Sequence, residues 1–170
     1  KIVDDKDRQL ACNRIGELLV KGDNVMKGYF NRDAETREII KDNWLYTGDI
    51  AKIDEDGYIY IVDRKKDMIN VRGLNVYPVE IEKVLLRHPK IKEAAVVGLA
   101  DKFKGEVPKA FIVLKENESL GGSEVIKYLR KNLALFKIPK SVEFTKALPK
   151  TSTGKILKRQ LRGGMKNEKN

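Results

Sequence analysis

The chain has 170 residues, 41% of them hydrophobic and 35% charged, with a net charge of +10 and a single cysteine. That length holds one ordinary domain, or one small domain and part of another, and the apolar content suffices for a packed core. The lone Cys12 excludes a disulfide framework and a thiolate metal cluster and reads as a reduced residue of a cytoplasmic protein, while no apolar run approaches a membrane span.

The first residues, Lys1-Ile2-Val3-Asp4-Asp5, carry no signal-peptide pattern and look like mid-protein sequence. Residues 16–22 alternate between two glycines and predict a strand. Residues 31–41 place Ala34, Ile39 and Ile40 among charges, with Asn31 and Asp33 available as caps, and predict a short helix. Two strands follow at 44–46 and 50–53. The turn Asp54-Glu55-Asp56-Gly57 then leads into a strand over 58–62, making residues 50–62 a hairpin. That turn lacks the later ligands and closing glutamate of a calcium loop.

The charged run Asp63-Arg64-Lys65-Lys66-Asp67 has no evident place in a core, which puts a hinge at 63–66 between a segment 1–62 and a domain 67–170. Short extended pieces are expected at 68–71 and 74–76. Pro78 suits the first turn of a helix over 79–88, stopped by Pro89. The β-branched runs 94–99 and 110–114 predict strands, and Ser123 is the expected cap of a helix to Asn132 with Val125, Ile126, Leu129 and Leu133 on one face. A strand at 141–144 and a short helix at 156–161 close the series. The fold class is α+β: a small mixed sheet with flanking helices, preceded by a β-rich segment.

Charge is uneven. Residues 137–170 hold ten Lys and Arg against Glu143 and Glu168, a net of +8, leaving +2 for the first 136 residues. A basic end suits a nucleic-acid or anionic surface, or a cationic face that meets phosphates in an active site. Past Gly163 it reads as a solvated, lysine-rich tail.

Four stretches carry the functional signal: Trp44-Leu45-Tyr46-Thr47-Gly48-Asp49, residues 62–69 around Asp63-Arg64-Lys65-Lys66-Asp67, residues 71–82 around Arg72-Gly73 and Pro78, and residues 148–156 around Thr153-Gly154-Lys155. The last is not a Walker A loop, because Pro149 replaces its first glycine and Ile156 its Ser or Thr. In order and spacing the four resemble the motifs of the acyl-CoA synthetase, luciferase and peptide-synthetase adenylation superfamily, over about residues 16–162. The likeness is greatest to fatty acid–CoA ligases, through Asp63–Ile69 and Asn75–Glu82. By that resemblance residues 1–62 match the end of a large N-terminal domain and the rest a mobile C-terminal domain. The superfamily's phosphate loop, adenine segment and acyl pocket precede the matched region, so the 170-residue chain alone is expected to be inactive.

The resemblance implies a two-step ligation using ATP, Mg2+ and coenzyme A. A carboxylate attacks the α-phosphate to give acyl-AMP and pyrophosphate, and the thiol of coenzyme A then displaces AMP. Lys155 matches the lysine placed between carboxylate and phosphate, a compact cation that offsets anionic repulsion. Asp49 and Arg64 match the residues that bind the ribose hydroxyls. Lys66 falls at the hinge about which the small domain rotates between the two half-reactions. Gly73 lies on the loop that lines the pantetheine tunnel, where a missing Cβ leaves room. Asn70 stands where luciferases carry a second lysine, which favours thioester synthesis over light-producing oxidation. No metal ligand is assigned, and His88, the only histidine, reads as structural.

The implied partners are a fatty acid or other carboxylic acid, ATP, coenzyme A and the large N-terminal domain, with association to a membrane surface through a lipid substrate. Two rivals stand beside this reading. One is an amino-acid- or aryl-acid-activating enzyme, which shares these motifs. The other is a basic nucleic-acid-binding module, against which only Phe136 and Phe144 are available for stacking in the basic segment.

Overall fold

The computed structural model describes residues 1–163, so the expected lysine-rich tail past Gly163 lies outside the described residues. The chain forms two compact units, one spanning Lys1–Lys66 and the other beginning at Asp67.

The first unit is a sheet with one helix. Its elements are β1 (Ile2–Val3), β2 (Gly16–Val20), α1 (Asp33–Ile39), β3 (Ile40–Lys41), β4 (Trp44–Ile53) and β5 (Ile59–Arg64). The strands run antiparallel in the order β1-β2-β4-β3, with β5 also paired to β4. Where two strands are expected over 44–53, one continuous β4 forms. Gly48, at φ +69°, bends the strand instead of ending it, and a register shift between Glu17 and Leu19 of β2 absorbs the distortion. Asp54–Gly57 is the expected turn, with Gly57 at φ +87°. Ile2, Leu18 and Ala51 form the small apolar core of this unit. The charged run at 63–67 is not wholly excluded from packing: Asp63 is buried, and Asp63 and Arg64 complete β5.

The second unit contains β6 (Ile69–Val71), β7 (Leu74–Val76), α2 (Pro78–Leu86), β8 (Ile91–Asp101), β9 (Gly105–Leu114), α3 (Gly122–Arg130), β10 (Ser141–Phe144) and α4 (Lys158–Gly163). The sheet order is β10-β9-β6-β7, with β8 also paired to β9; β10 runs parallel to β9 and the other pairs are antiparallel. This is the expected mixed sheet with flanking helices.

Strand alternation sends successive residues of β8 and β9 to opposite faces. Ala94, Val96, Ala110 and Ile112 join Ile81 and Leu85 of α2 and Val125 and Leu129 of α3 in the larger core. Ala95, Val97, Phe111 and Val113 form a second, smaller cluster closed by Leu148, Ile156 and Leu161 from the end of the chain. Each fully buried large aliphatic side chain contributes roughly 1.5–3 kcal/mol of transfer free energy.

Several expected boundaries move: the helix expected over 31–41 is α1, with residues 40–41 extended, the strand over 58–62 is β5 and the helix over 79–88 is α2, and three further shifts have local causes. The β8–β9 strands are longer than their β-branched runs, because pairing continues through Gly98↔Pro108 to Asp101↔Gly105. The cap of α3 is Gly121, not Ser123, and the Gly121 N–H donates to Glu124 Oε2 at 2.8 Å. The last helix begins at Lys158, since residues 150–156 close on themselves as a loop.

Candidate functional site

Strand register brings Asp49 and Arg64 together. They are direct partners in the β4–β5 ladder, and Arg64 Nε lies 2.8 Å from Asp49 Oδ1. Gly48 turns the backbone just before Asp49, and Thr47 locks that turn: its hydroxyl donates to the Leu18 carbonyl at 2.8 Å and accepts the Asp49 N–H at 3.1 Å. Arg64 is exposed and Asp49 partly so. A carboxylate offers about four lone-pair sites, so Asp49 keeps acceptor capacity for vicinal hydroxyls while Arg64 orients it.

Lys155 stands on a self-closed loop. A bridge joins Lys150 to Ile156, and Thr151 makes the inner contacts. The Thr151 N–H donates to the Lys155 carbonyl at 2.8 Å, and the Lys155 N–H donates to Thr151 Oγ1 at 3.1 Å. Gly154, at φ +82°, allows the reversal and donates its N–H to the Thr151 carbonyl at 2.9 Å. The loop is tied down at its base by Lys150 Nζ to Glu93 Oε1 at 2.8 Å and by Ile156 in the smaller apolar cluster. The result is an exposed lysine on a constrained backbone, a cation that can be aimed.

Gly73 is at the tip of a two-residue hairpin between β6 and β7. Arg72 and Gly73 have φ of +52° and +81°, as a type I′ turn requires at both central positions. Asn70 Oδ1 accepts the Gly73 N–H at 2.8 Å, so Asn70 has a structural task in the turn. A Cβ added at Gly73 would meet no heavy atom within 4 Å. Beside this turn lies a cavity of about 300 Å³ lined by Val71, Arg72, Lys104, Val107, Phe136 and Lys140, among others. Its lining mixes apolar side chains with the cations Arg72, Lys104 and Lys140. Lys140 is also 2.8 Å from Asp101 Oδ2. That hydrogen bond, followed by the N–H groups of Phe103 and Lys104, holds the Asp101 carboxyl at about 2, below its ordinary 3.8.

Lys66 is the last residue of the first unit, in a single 3-10 turn, Lys65–Asp67. His88 makes packing contacts: its ring meets Tyr128 edge-on at 4.9 Å, and Nδ1 accepts the Lys90 N–H at 3.3 Å. The roles of Thr151 and Asn70 in holding their turns, and the cavity walls, are not evident from the sequence. Thr151 was detectable as a Ser/Thr four residues before the lysine, a spacing that a side chain-to-backbone loop bond uses. The cavity was not, because its lining comes from three separate segments.

Residues 80–155 match the family described as AMP-binding enzyme C-terminal domain, ending on Lys155. A long-chain-fatty-acid–CoA ligase of Salmonella typhimurium is 52% identical over 162 residues, covering 95% of this chain and 29% of the relative. A feruloyl-CoA synthase from an Amycolatopsis species is 48% identical over 147 residues, covering 86% of this chain and 30% of the relative. Among solved structures, ATP-bound MatB from Rhodopseudomonas palustris superposes with a TM-score of 0.93 at 36% identity, covering 98% of this chain and 33% of that one. The chain therefore spans under a third of the length of these relatives. With four ordered motifs, a matching C-terminal domain and this degree of likeness, the chain belongs to the adenylate-forming enzymes and corresponds to their C-terminal part.

Proposed function

We propose that the chain works as the C-terminal part of an AMP-forming fatty acid–CoA ligase. The observation that carries the reading is Lys155: an exposed ammonium on a loop whose backbone is fixed by Thr151. In the first half-reaction a carboxylate oxygen bonds to the α-phosphorus of ATP and pyrophosphate leaves. Both reactants are anionic, and a cation between them offsets repulsion that amounts to several kcal/mol at protein-like dielectric. Asp49 and Arg64 orient the ribose. In the second half-reaction the sulfur of coenzyme A bonds to the acyl carbon and AMP leaves. The open tip at Gly73 admits the thiol arm, and the adjoining cavity, with Arg72, Lys104 and Lys140 in its walls, suits the phosphates of the same molecule. Lys66 is the hinge about which the second unit turns between the steps.

Among the described residues no group of three or more His, Cys, Asp or Glu is arranged to hold a metal ion. The residues present do not fit a resident magnesium site, and magnesium would arrive with ATP. The Amycolatopsis relative is an aryl-acid enzyme by name and still 48% identical, so the choice of acid rests on residues outside this chain. The relatives named for long-chain fatty acids support that choice here, with fatty acid and lipid metabolism as the setting. A cytoplasmic location, with contact to a membrane surface through the lipid substrate, completes the reading.

The test uses the full-length ligase. Lys155→Ala should slow acyl-AMP formation by roughly 10²–10³, the usual cost of one preorganised charge donor. The same variant, given synthetic acyl-AMP and coenzyme A, should make thioester at a near-normal rate. Unimpaired carboxylate-dependent pyrophosphate exchange would refute the reading.

A further inference from the structure

The signature stretch 75–82 ends in two glutamates, Glu80 and Glu82, both on α2. Two residues along a helix turn the side-chain direction by about 200°, so the two carboxylates leave α2 on nearly opposite sides. Ile81, fully buried between them, packs in the larger core.

Each glutamate holds a lysine from a different, distant segment. Lys137 Nζ lies 2.6 Å from Glu80 Oε1 and 2.7 Å from Oε2. Lys158 Nζ lies 2.8 Å from Glu82 Oε1, and the same oxygen accepts the N–H of Val96, a fully buried residue of β8, at 2.7 Å. The segments so held are the two that carry the chemistry. Lys137 ends a 3-10 turn, Leu135–Lys137; Leu135, Phe136, Ile138 and Lys140 around it line the cavity beside Gly73, and Lys137 is not one of the lining residues. Lys158 opens α4 three residues past Lys155. The Leu157 N–H donates to the Pro149 carbonyl at 2.8 Å, so the loop that presents Lys155 runs directly into the held helix.

The side chains of Glu82 and Lys158 are 13% and 15% exposed. A charge so far withdrawn from water is costly to leave without its partner, which sets this pair apart from ion pairs on an open surface. Such pairs leave backbone angles to the loops themselves and favour one placement of each segment against α2. That helix is a firm anchor, because Ile81, Val84 and Leu85 seat it in the larger core.

We propose that Glu82 and Glu80 are positioning residues that divide the two half-reactions between them. Glu82 sets the placement of Lys155 for acyl-AMP formation, and Glu80 sets the cavity wall that receives coenzyme A for thioester formation. This division rests on the ligase reading above. Lys155 acts at the reacting atoms, so a shift of its segment is read in the rate. The cavity wall acts in binding, so a shift there is read in the KM for coenzyme A.

The experiment measures the half-reactions separately in the full-length ligase: acyl-AMP formation by pyrophosphate exchange, and thioester formation from synthetic acyl-AMP and coenzyme A. Glu82→Gln keeps an oxygen for the Val96 N–H and removes the charge that holds Lys158. It should slow acyl-AMP formation roughly tenfold, short of the about 10²-fold cost of a full ångström of misplacement, with the KM for coenzyme A unchanged. Lys158→Met removes the cation from the other end and should do the same. The double variant should be no slower than either single one, since both break one contact. Glu80→Gln and Lys137→Met should instead raise the KM for coenzyme A about threefold to tenfold, within the range of coupling between residues in contact, and leave acyl-AMP formation near normal. A purely structural role predicts an equal loss in both half-reactions, with a lowered Tm, whichever glutamate is changed. That equal loss, or no loss in either pair of variants, overturns the division while the ligase reading, tested by Lys155→Ala, stands. If Lys155→Ala leaves pyrophosphate exchange unimpaired, the ligase reading fails and the division fails with it.

Discussion

Gly73→Leu separates the two demands made on the β6–β7 turn. The new side chain meets no heavy atom within 4 Å, so its structural cost is conformational and not steric. At φ +81° an L-residue pays roughly 1–2 kcal/mol, set against a total stability of about 5–15 kcal/mol. The domain should remain folded, with Tm lowered about 4–8 °C for each kcal/mol lost. Function should suffer out of proportion. A leucine at the tip obstructs the thiol arm, and thioester formation in the full-length ligase should fall on the order of tenfold to a hundredfold. Acyl-AMP formation, followed by pyrophosphate exchange, should stay near normal. Asn70→Ala is the matched control: it removes the acceptor for the Gly73 N–H, costs about 0.5–1.5 kcal/mol, and leaves the tip open. Thioester formation should therefore survive it. An equal loss of both half-reactions in Gly73→Leu, or an equal thioester defect in Asn70→Ala, would show that turn stability, not obstruction, controls the step.

Three further outcomes are expected. Leu129→Ala, at a fully buried position of α3, should lose about 2–5 kcal/mol in urea denaturation, and a loss under 1 kcal/mol would contradict the packing described. The Asp101 carboxyl should titrate at about 2 by NMR and move up toward its ordinary 3.8 in Lys140→Ala. Because its pKa is depressed in the folded state, its contribution is complete above that ordinary value and is lost as pH falls toward about 2; a midpoint unmoved by Lys140→Ala would remove Lys140 as the cause. Finally, the 170-residue chain alone should catalyse no pyrophosphate exchange above a Lys155→Ala control.

The parts of the fold that read well from the sequence are those governed by local pattern. The continuous β-branched runs 94–99 and 110–114 announce β8 and β9 because both of their faces are buried, and the apolar stripe Val125, Ile126, Leu129 announces α3 because that helix buries one face. Errors gather where a residue taken as a breaker is accommodated. Gly48 bends β4 without ending it, and pairing runs on through Pro108 opposite Gly98. Of the candidate site, Lys155 and Gly73 were legible as motif residues, while their supports were not. Thr151 acts through its own loop and Asn70 through a turn, and both look like ordinary polar residues. The Asp67–Arg162 and Glu17–Lys65 pairs join residues far apart in the chain. No spacing rule reaches across such distances, since only the completed sheet and α4 bring those charges together.

The unequal division of the second unit's core has a consequence for how the domain comes apart. Among the described residues, thirteen buried side chains form the core shared with α2 and α3, and five form the cluster packed against Ile156 and Leu161. Free energy of opening scales with the apolar surface exposed, so residues 148–163 are expected to open at lower free energy than the rest of the second unit. Amide protons there should exchange through a local opening, well before those of β8 and β9. This segment carries Lys155, Lys158 and Arg162 together, so one opening would displace Lys155 and release α4's hold on Glu82 and Asp67 at once. Under the ligase reading proposed above, adenylating competence should follow the closed fraction of this short segment and respond to substitutions at Leu148, Ile156 or Leu161.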